Sequence, residues 1–474
     1  MNANQNTCKI RWVCLMPIAA LVIGLTACDS ATDSGTSTRE AARVMPTGSA
    51  TGVLMMNAPI SGISYAVSSG ASGKTNDEGT FDFTYGDTIE FKIGGLTLGN
   101  IPGAEIITPI ALADGNENKL QNLLVLLQTL DADGDLSNGV TISDDTAAAL
   151  NASINLESNP DTFADAAKLQ DVLEASGIEG EIKTPEEAVA QFLSQGFSIF
   201  NAHVWAGHDG STATMLRVAT DGSGEYLHGT VRPDDSCDEN RACGGRTLYQ
   251  AGAEYGVAKA TGVDTRGFVV LGEPIVDSNL REGLSNPMPP RRIHTDGFEL
   301  IFSDIVNKPI PREQPSVFSE IFHIGGASST VSAKAGAVVE TEVKESRFKK
   351  VENEASGIVG AWAYDKDAIN TRTLIFFPDG KFFSVDPTGD VQREDQAECA
   401  RPGVELASYT YNKGANQLSV SGFTYNTDGC VGFSRPDIKE AHKFTINADG
   451  ESATIEIKGD EPVTAYRISG STEK

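Results

Sequence analysis

Residues 197–474 of this 474-residue chain carry one strand pattern twice, and that repeat limits the possible folds more than any other feature. The first copy reads His203-Val204-Trp205-Ala206, then Thr214-Met215-Leu216-Arg217-Val218-Ala219-Thr220-Asp221-Gly222, then Ala251-Gly252-Ala253-Glu254-Tyr255. The second reads Gly360-Ala361-Trp362-Ala363, then Arg372-Thr373-Leu374-Ile375-Phe376-Phe377-Pro378-Asp379-Gly380, then Pro402-Gly403-Val404-Glu405-Leu406. Tryptophan and Asp-Gly stand 16 residues apart in one copy and 17 in the other. Asp-Gly between apolar runs is a hairpin turn, not a pair of acids in waiting. The expectation is two related antiparallel β-domains, 197–343 and 355–474, joined by a charged linker at 344–354. The copies would close on Ser319–Ile324 and Thr464–Ile468.

Gly360-x-Trp362 on the first strand of the second copy, with Arg467 on its last, resembles a lipocalin-type barrel. The resemblance implies that Trp362 plugs one end and Arg467 lies across its face, a cation–π contact of about 1 kcal/mol. It also implies eight short strands around a small cavity able to hold a lipophilic ligand. The first copy departs from the pattern, with His203 at the glycine and His323 at the arginine, so the resemblance does not reach its closure.

Upstream, Gly52-Val53-Leu54, Ile63–Val67, Thr80–Thr84 and Thr88–Ile93 alternate apolar with small or polar residues between Gly, Pro and Asp clusters. Ala58-Pro59-Ile60-Ser61-Gly62 followed by Gly73–Phe81 resembles the carboxypeptidase-regulatory-like, transthyretin-like β-sandwich, which implies a spacer or binding module over 49–115. The period then turns helical over 116–196. Leu120, Leu123, Leu124 and Leu127 mark one face of an amphipathic helix, and Thr146–Ile154 and Phe163–Leu173 read as further helices. Thr184-Pro185-Glu186-Glu187 is an N-cap, a proline at the first helical position and a capping-box glutamate. This block is expected to pack on the sandwich. The fold class is thus mainly β and multidomain.

The sharpest local motif is Asp131-Ala132-Asp133-Gly134-Asp135-Leu136-Ser137-Asn138-Gly139. Alternating carboxylates in a glycine-bearing loop suit Ca²⁺, which takes six to eight oxygens. Asp131, Asp133, Asp135 and Asn138 are the expected ligands. The loop resembles an EF-hand or dockerin loop at its three aspartates, but Ile142 stands where a bidentate glutamate belongs, and Asp144 or Asp145 could serve only in a longer loop.

The N-terminus carries an address. Lys9 and Arg11 precede an apolar run from Trp12 to Leu25, broken by Pro17, and Leu25-Thr26-Ala27-Cys28 resembles the lipobox of a bacterial lipoprotein signal peptide. The run is short for a membrane-spanning helix, which needs about 20 apolar residues. The resemblance implies cleavage after residue 27, acylation of Cys28 and an anchored body in the cell envelope. Asp29 leaves open the inner or outer membrane, and the body could sit in the periplasm or at the cell surface. Residues 28–48 read as a flexible polar tether.

Cleavage would take the formal charge from −28 to −30, which argues against nucleic-acid partners. Cys237, Cys243, Cys399 and Cys430 would remain. Four cysteines allow three pairings, and proximity favours Cys237–Cys243 and Cys399–Cys430. The six histidines form no HExxH or triad pattern, and no nucleophile elbow or phosphate loop is present, so no catalytic residue is assigned.

Asn122–Asp135 and the later Gly403-Val404-Glu405 with Tyr409-Thr410-Tyr411 resemble proteobacterial adhesin-like surface lipoproteins. That implies a non-enzymatic binding, adhesion or scaffold protein with a polysaccharide or protein partner. A carrier of a small lipophile in the C-terminal barrel is the alternative, and an enzyme the third possibility.

Overall fold

The structure is a computed structural model that describes residues 46–150, 154–164, 167–233, 249–279, 283–285, 291–309, 338–389, 402–427, 432–434 and 440–468. It is mainly β, with two closed eight-stranded antiparallel barrels in tandem and smaller sheets at the N-terminal side. The leader, Cys28, the tether up to residue 45, His323 and all four remaining cysteines lie outside the described residues, and so does the expected closing strand at 319–324.

The first region is a pair of small sheets. In one, β1 (Ser49–Leu54) lies between β5 (Thr80–Thr84) and β8 (Ile106–Ile107). The other runs β4 (Ser72–Lys74), β3 (Ser64–Val67), β6 (Thr88–Ile93), β7 (Leu96–Pro102). Strict alternation in β5 and β6 turns Phe81, Phe83, Ile89, Phe91 and Ile93 inward. The edge-to-face pair Phe81–Phe91, 5.2 Å between centroids, joins the two sheets. A short parallel pair, β2 (Ile60–Ser61) with β9 (Val140–Thr141), ties this region to the chain leaving the acidic loop.

The helices are α1 (Pro109–Ala113), α2 (Glu117–Thr129), α3 (Asp144–Ala149), α4 (Pro160–Ala164), α5 (Ala167–Ser176) and α6 (Pro185–Gln195). Helix α2 is not the one-sided amphipathic helix its leucines suggest: Asn122, Val125, Leu126 and Gln128 are buried as well. Their amide groups donate inside the core, Asn122 Nδ2 to the Leu156 and Ser158 carbonyls and Gln128 Nε2 to that of Ala188, each at 2.8 Å. Helix α3 stops before Leu150, which is extended, instead of running to Ile154. Helix α6 starts with the expected capping box: Glu187 N donates to Thr184 Oγ1 (3.2 Å) and Thr184 N to Glu187 Oε2 (3.0 Å).

The first barrel consists of β10 (Trp205–His208), β11 (Ala213–Val218), β12 (Glu225–Pro233), β13 (Tyr249–Asp264), β14 (Gly267–Asp277), β15 (Arg291–Thr295), β16 (Glu299–Pro309) and β17 (Val338–Lys350). The second consists of β18 (Gly360–Ala363), β19 (Thr373–Phe376), β20 (Lys381–Asp386), β21 (Gly403–Asn412), β22 (Gln417–Asn426), β23 (His442–Ile446), β24 (Ser452–Glu456) and β25 (Val463–Arg467). The expected linker is corrected here, because residues 344–350 finish the strand that closes the first barrel. Its charges mark an outer face: Glu345, Arg347 and Lys349 are exposed around the buried Phe348. Closure pairs Trp205 with Lys350 and Trp362 with Arg467, so Lys350, and not His323, occupies the place of Arg467.

Register makes the two barrels equivalent residue by residue. Trp205, Leu216, His228 and Glu254 stand opposite one another across β10–β13, as Trp362, Leu374, Ser384 and Glu405 do across β18–β21. Each indole N–H is satisfied by a carbonyl just upstream, Trp205 Nε1 by Phe200 O (3.0 Å) and Trp362 Nε1 by Ile358 O (2.9 Å). Arg467 lies over the Trp362 ring at 4.3 Å, with Nε on the Gly450 carbonyl at 2.7 Å.

The helical block packs on the first sheets, as expected, and the shared core extends into the first barrel. One apolar cluster runs from Leu54 in β1 through α2 to Phe348 in β17. At the barrel end, Phe192 of α6 and Phe200 of the 3₁₀ turn Gly196–Ala202 pack on Phe268, at 5.0 and 6.1 Å. A second cluster joins the barrels through outer faces, with Met215, Leu227, Val231 and Ala253 against Ile375, Phe383, Val385 and Leu406. Strands β18, β19 and β20 are therefore buried on both faces, which is why they read GAWA, TLIF and KFFSVD with little alternation.

Candidate functional site

The first barrel opens where the second is filled. A cleft of about 550 Å³ runs from its seam between β10 and β17 into the interior, past Thr214, His228, Thr230, Phe302 and Phe348. Thr214 and Thr230 pair with each other in register, two residues from the Leu216–His228 pair. At the matching positions of the second barrel stand Arg372 and Asp386, joined at 2.7 Å with both side chains buried. A guanidinium–carboxylate pair thus occupies one barrel where two small hydroxyl side chains leave space in the other.

His228 forms the floor. Its Nδ1 lies 3.2 Å from Asn279 Nδ2 and its Nε2 3.4 Å from Thr214 Oγ1. The ring stacks beside Phe302, 6.0 Å between centroids. Burial, then the nearby Arg291 and Arg232 guanidiniums, push its pKa down to about 3, so the imidazole is neutral near pH 7. A ring so hard to protonate is poorly matched to acid–base work near neutrality, which favours a pKa near the working pH.

Charges of both signs line the cleft: Arg232, Arg291, Arg347, Lys349 and Lys350 stand there with Asp209, Glu299, Glu345 and Glu352. Arg347 is tied to Glu299 and Glu345 (3.3 and 2.9 Å), and Lys350 reaches Glu105 at 3.4 Å. The rim belongs to both barrels, since His208 Nε2 lies 3.4 Å from Asp379 Oδ1 and its ring 4.3 Å from that of Phe377. Below it, Arg217 Nη2 donates to the Lys366 carbonyl at 2.7 Å and pins β11 to the second barrel.

The acidic loop is a separate place. Asp131 is buried, and its Oδ1 accepts from Thr141 N at 2.9 Å, while its Oδ2 has no partner among the described residues. Burial, with the Asp133 carboxylate alongside as a smaller cause, raises its pKa. Asp133 accepts from Asp135 N and Asn138 Nδ2 (both 2.9 Å), and Asp135 Oδ1 from Ser137 Oγ (2.6 Å). The donor set fits a divalent ion only in part. Asp131 and Asp133 face each other, while Asp135 and Asn138 are turned to the loop's own groups. Among the described residues no three His, Cys, Asp or Glu side chains converge as a metal site.

Sequence reasoning passed over the residues that shape the cleft. Thr214 lay inside the repeat but gave no sign of its depth, and His228 and Thr230 became visible only through the register. Among the described residues no helix is long and apolar enough to cross a membrane. No family model matches the chain, and neither a curated protein nor a solved structure is similar to it.

Proposed function

We propose that the chain is a non-enzymatic binding protein of the cell envelope, anchored through Cys28, whose first barrel takes an acidic glycan in its seam cleft. One observation carries the reading: an open cleft whose lining includes Arg232, Arg291, Arg347, Lys349 and Lys350 exists in an acidic chain, at the place where the related barrel is filled by Arg372–Asp386. Guanidinium and ammonium groups complement carboxylates. Calorimetric titration with uronic-acid oligosaccharides, and neutral ones as controls, tests it. Binding should be confined to the acidic series and weaken as salt rises. Equal binding of both series, or none by either at low ionic strength, would discard the reading.

The lipophile carrier draws less support. The second barrel's interior is occupied by Trp362, Leu374, Phe376, Phe382, Phe433 and Phe444, all buried. The calcium reading rests on the unpartnered Asp131 Oδ2 beside Asp133. Calcium should then raise the melting temperature and a chelator lower it. A melt unchanged between the two would sink that part alone.

A further inference from the structure

Both barrels contain a buried glutamate at the same place on the fourth strand, and in both it meets the loop between the fifth and sixth strands. Glu254 on β13 is 1 % exposed. Its carboxylate accepts from Leu284 N (2.7 Å), Ser285 N (3.0 Å) and Ser285 Oγ (2.7 Å), and from the Tyr226 hydroxyl. Leu284 is itself buried in the core of the barrel, and its carbonyl accepts from Gly272 N at 2.8 Å on β14. Glu405 on β21 is fully buried and accepts from Phe433 N at 3.4 Å. Phe433 in turn packs on Phe382, 5.3 Å between centroids, inside the second barrel.

A glycine in the left-handed region precedes each apolar residue, Gly283 with φ +88° and Gly432 with φ +81°. That conformation strains any residue with a side chain. At both sites a Cβ would also collide with the glutamate, standing 2.8 Å from Glu405 Oε2 in the second barrel. The same three-part device, glutamate, left-handed glycine and buried apolar residue, thus stands in both barrels, although the interior differs between them at Thr214/Arg372, His228/Ser384 and Thr230/Asp386.

We propose that Glu254 and Glu405 are latches, each holding its Gly-apolar pair as an internal plug in its own barrel. An eight-stranded barrel has room inside for packed side chains or for one small ligand. Leu284 and Phe433 take part of that room, and the carboxylates keep them there by collecting backbone N–H groups that would otherwise be buried without acceptors. The device lies beyond the glycan reading and does not depend on it.

Hydrogen exchange on the intact chain, resolved to single amides, tests the latch. In the wild type, the Leu284, Ser285 and Phe433 amides should be protected along with the neighbouring strands. In Glu254→Leu, close in size but without an acceptor, Leu284 and Ser285 should exchange roughly tenfold to a hundredfold faster while β11 and β12 stay protected. Glu254→Gln, which keeps one acceptor oxygen, should fall between. Glu405→Leu should act on Phe433 alone. Unprotected plug amides in the wild type, a measurement that needs no variant to fold, would overturn the proposal. So would unchanged Leu284 and Ser285 protection in Glu254→Leu.

Discussion

Asp386→Thr is the substitution whose cost follows most directly from the structure. Asp386 Oδ2 meets Arg372 Nη2 at 2.7 Å, with the two side chains only 5 and 7 % exposed. The other oxygen, Oδ1, accepts from Thr388 N (3.0 Å), Thr388 Oγ1 (3.1 Å) and Gly389 N (3.0 Å). Threonine is the residue at the matching position of the first barrel, Thr230, so the strand itself tolerates it. What threonine cannot do is offer Arg372 the carboxylate it meets at 2.7 Å. Losing a buried hydrogen bond to a charged group costs about 1.5–3 kcal/mol. With urea slopes of about 1–3 kcal/mol per molar, the midpoint should drop by roughly 1 M. Trp362 fluorescence in a Trp205→Phe background reads the second barrel alone, since Trp12 is the only other tryptophan and precedes the expected cleavage point. A midpoint within about 0.3 M of the parent would refute the reasoning, because the Arg372–Asp386 contact would then add nothing to the stability of the second barrel.

Two further outcomes are expected. The folded-state pKa of His228, about 3, lies below its ordinary 6.5, so the unfolded chain takes up the proton first. Its contribution is whole above about pH 6.5 and is lost as pH falls toward 3, by up to about 1.4 kcal/mol per unit. His228→Gln should flatten that slope, and urea midpoints at pH 7 and 4.5 that differ as much as in the wild type would contradict the burial. Arg467→Met removes the guanidinium from the Trp362 face and from the Gly357, Val359 and Gly450 carbonyls. The loss should be about 2–3 kcal/mol, accompanied by a red shift of Trp362 emission, and an unshifted spectrum would speak against the stacking.

The repeat was legible because it rests on short-range pattern. Tryptophan, Asp-Gly turn and the Glu254/Glu405 pair recur at spacings a reader can align, and the structure sets those residues in matching register. The closing strand was not legible. Glu345, Arg347 and Lys349 lie on its solvated face, so β17 looks like a linker until its pairing with β16 and β10 is known. Helix α2 misleads in the opposite direction: Asn122 and Gln128 look like a polar face, but both are buried against carbonyls distant in sequence. The cleft is the least legible feature, because its space comes from a difference between copies. Thr214 and Thr230 become informative only once they can be laid over Arg372 and Asp386.

That difference supplies the sharpest test of the whole account. Thr214→Arg with Thr230→Asp transplants the second barrel's ion pair into the first barrel's cleft, using residues the related barrel already accommodates. The Thr214→Arg/Thr230→Asp chain should fold, with wild-type protection of β11 and β12, and lose acidic-glycan binding at least tenfold. Undiminished affinity in a folded Thr214→Arg/Thr230→Asp chain would contradict it, because the ligand would then sit outside the cleft that those two threonines keep open.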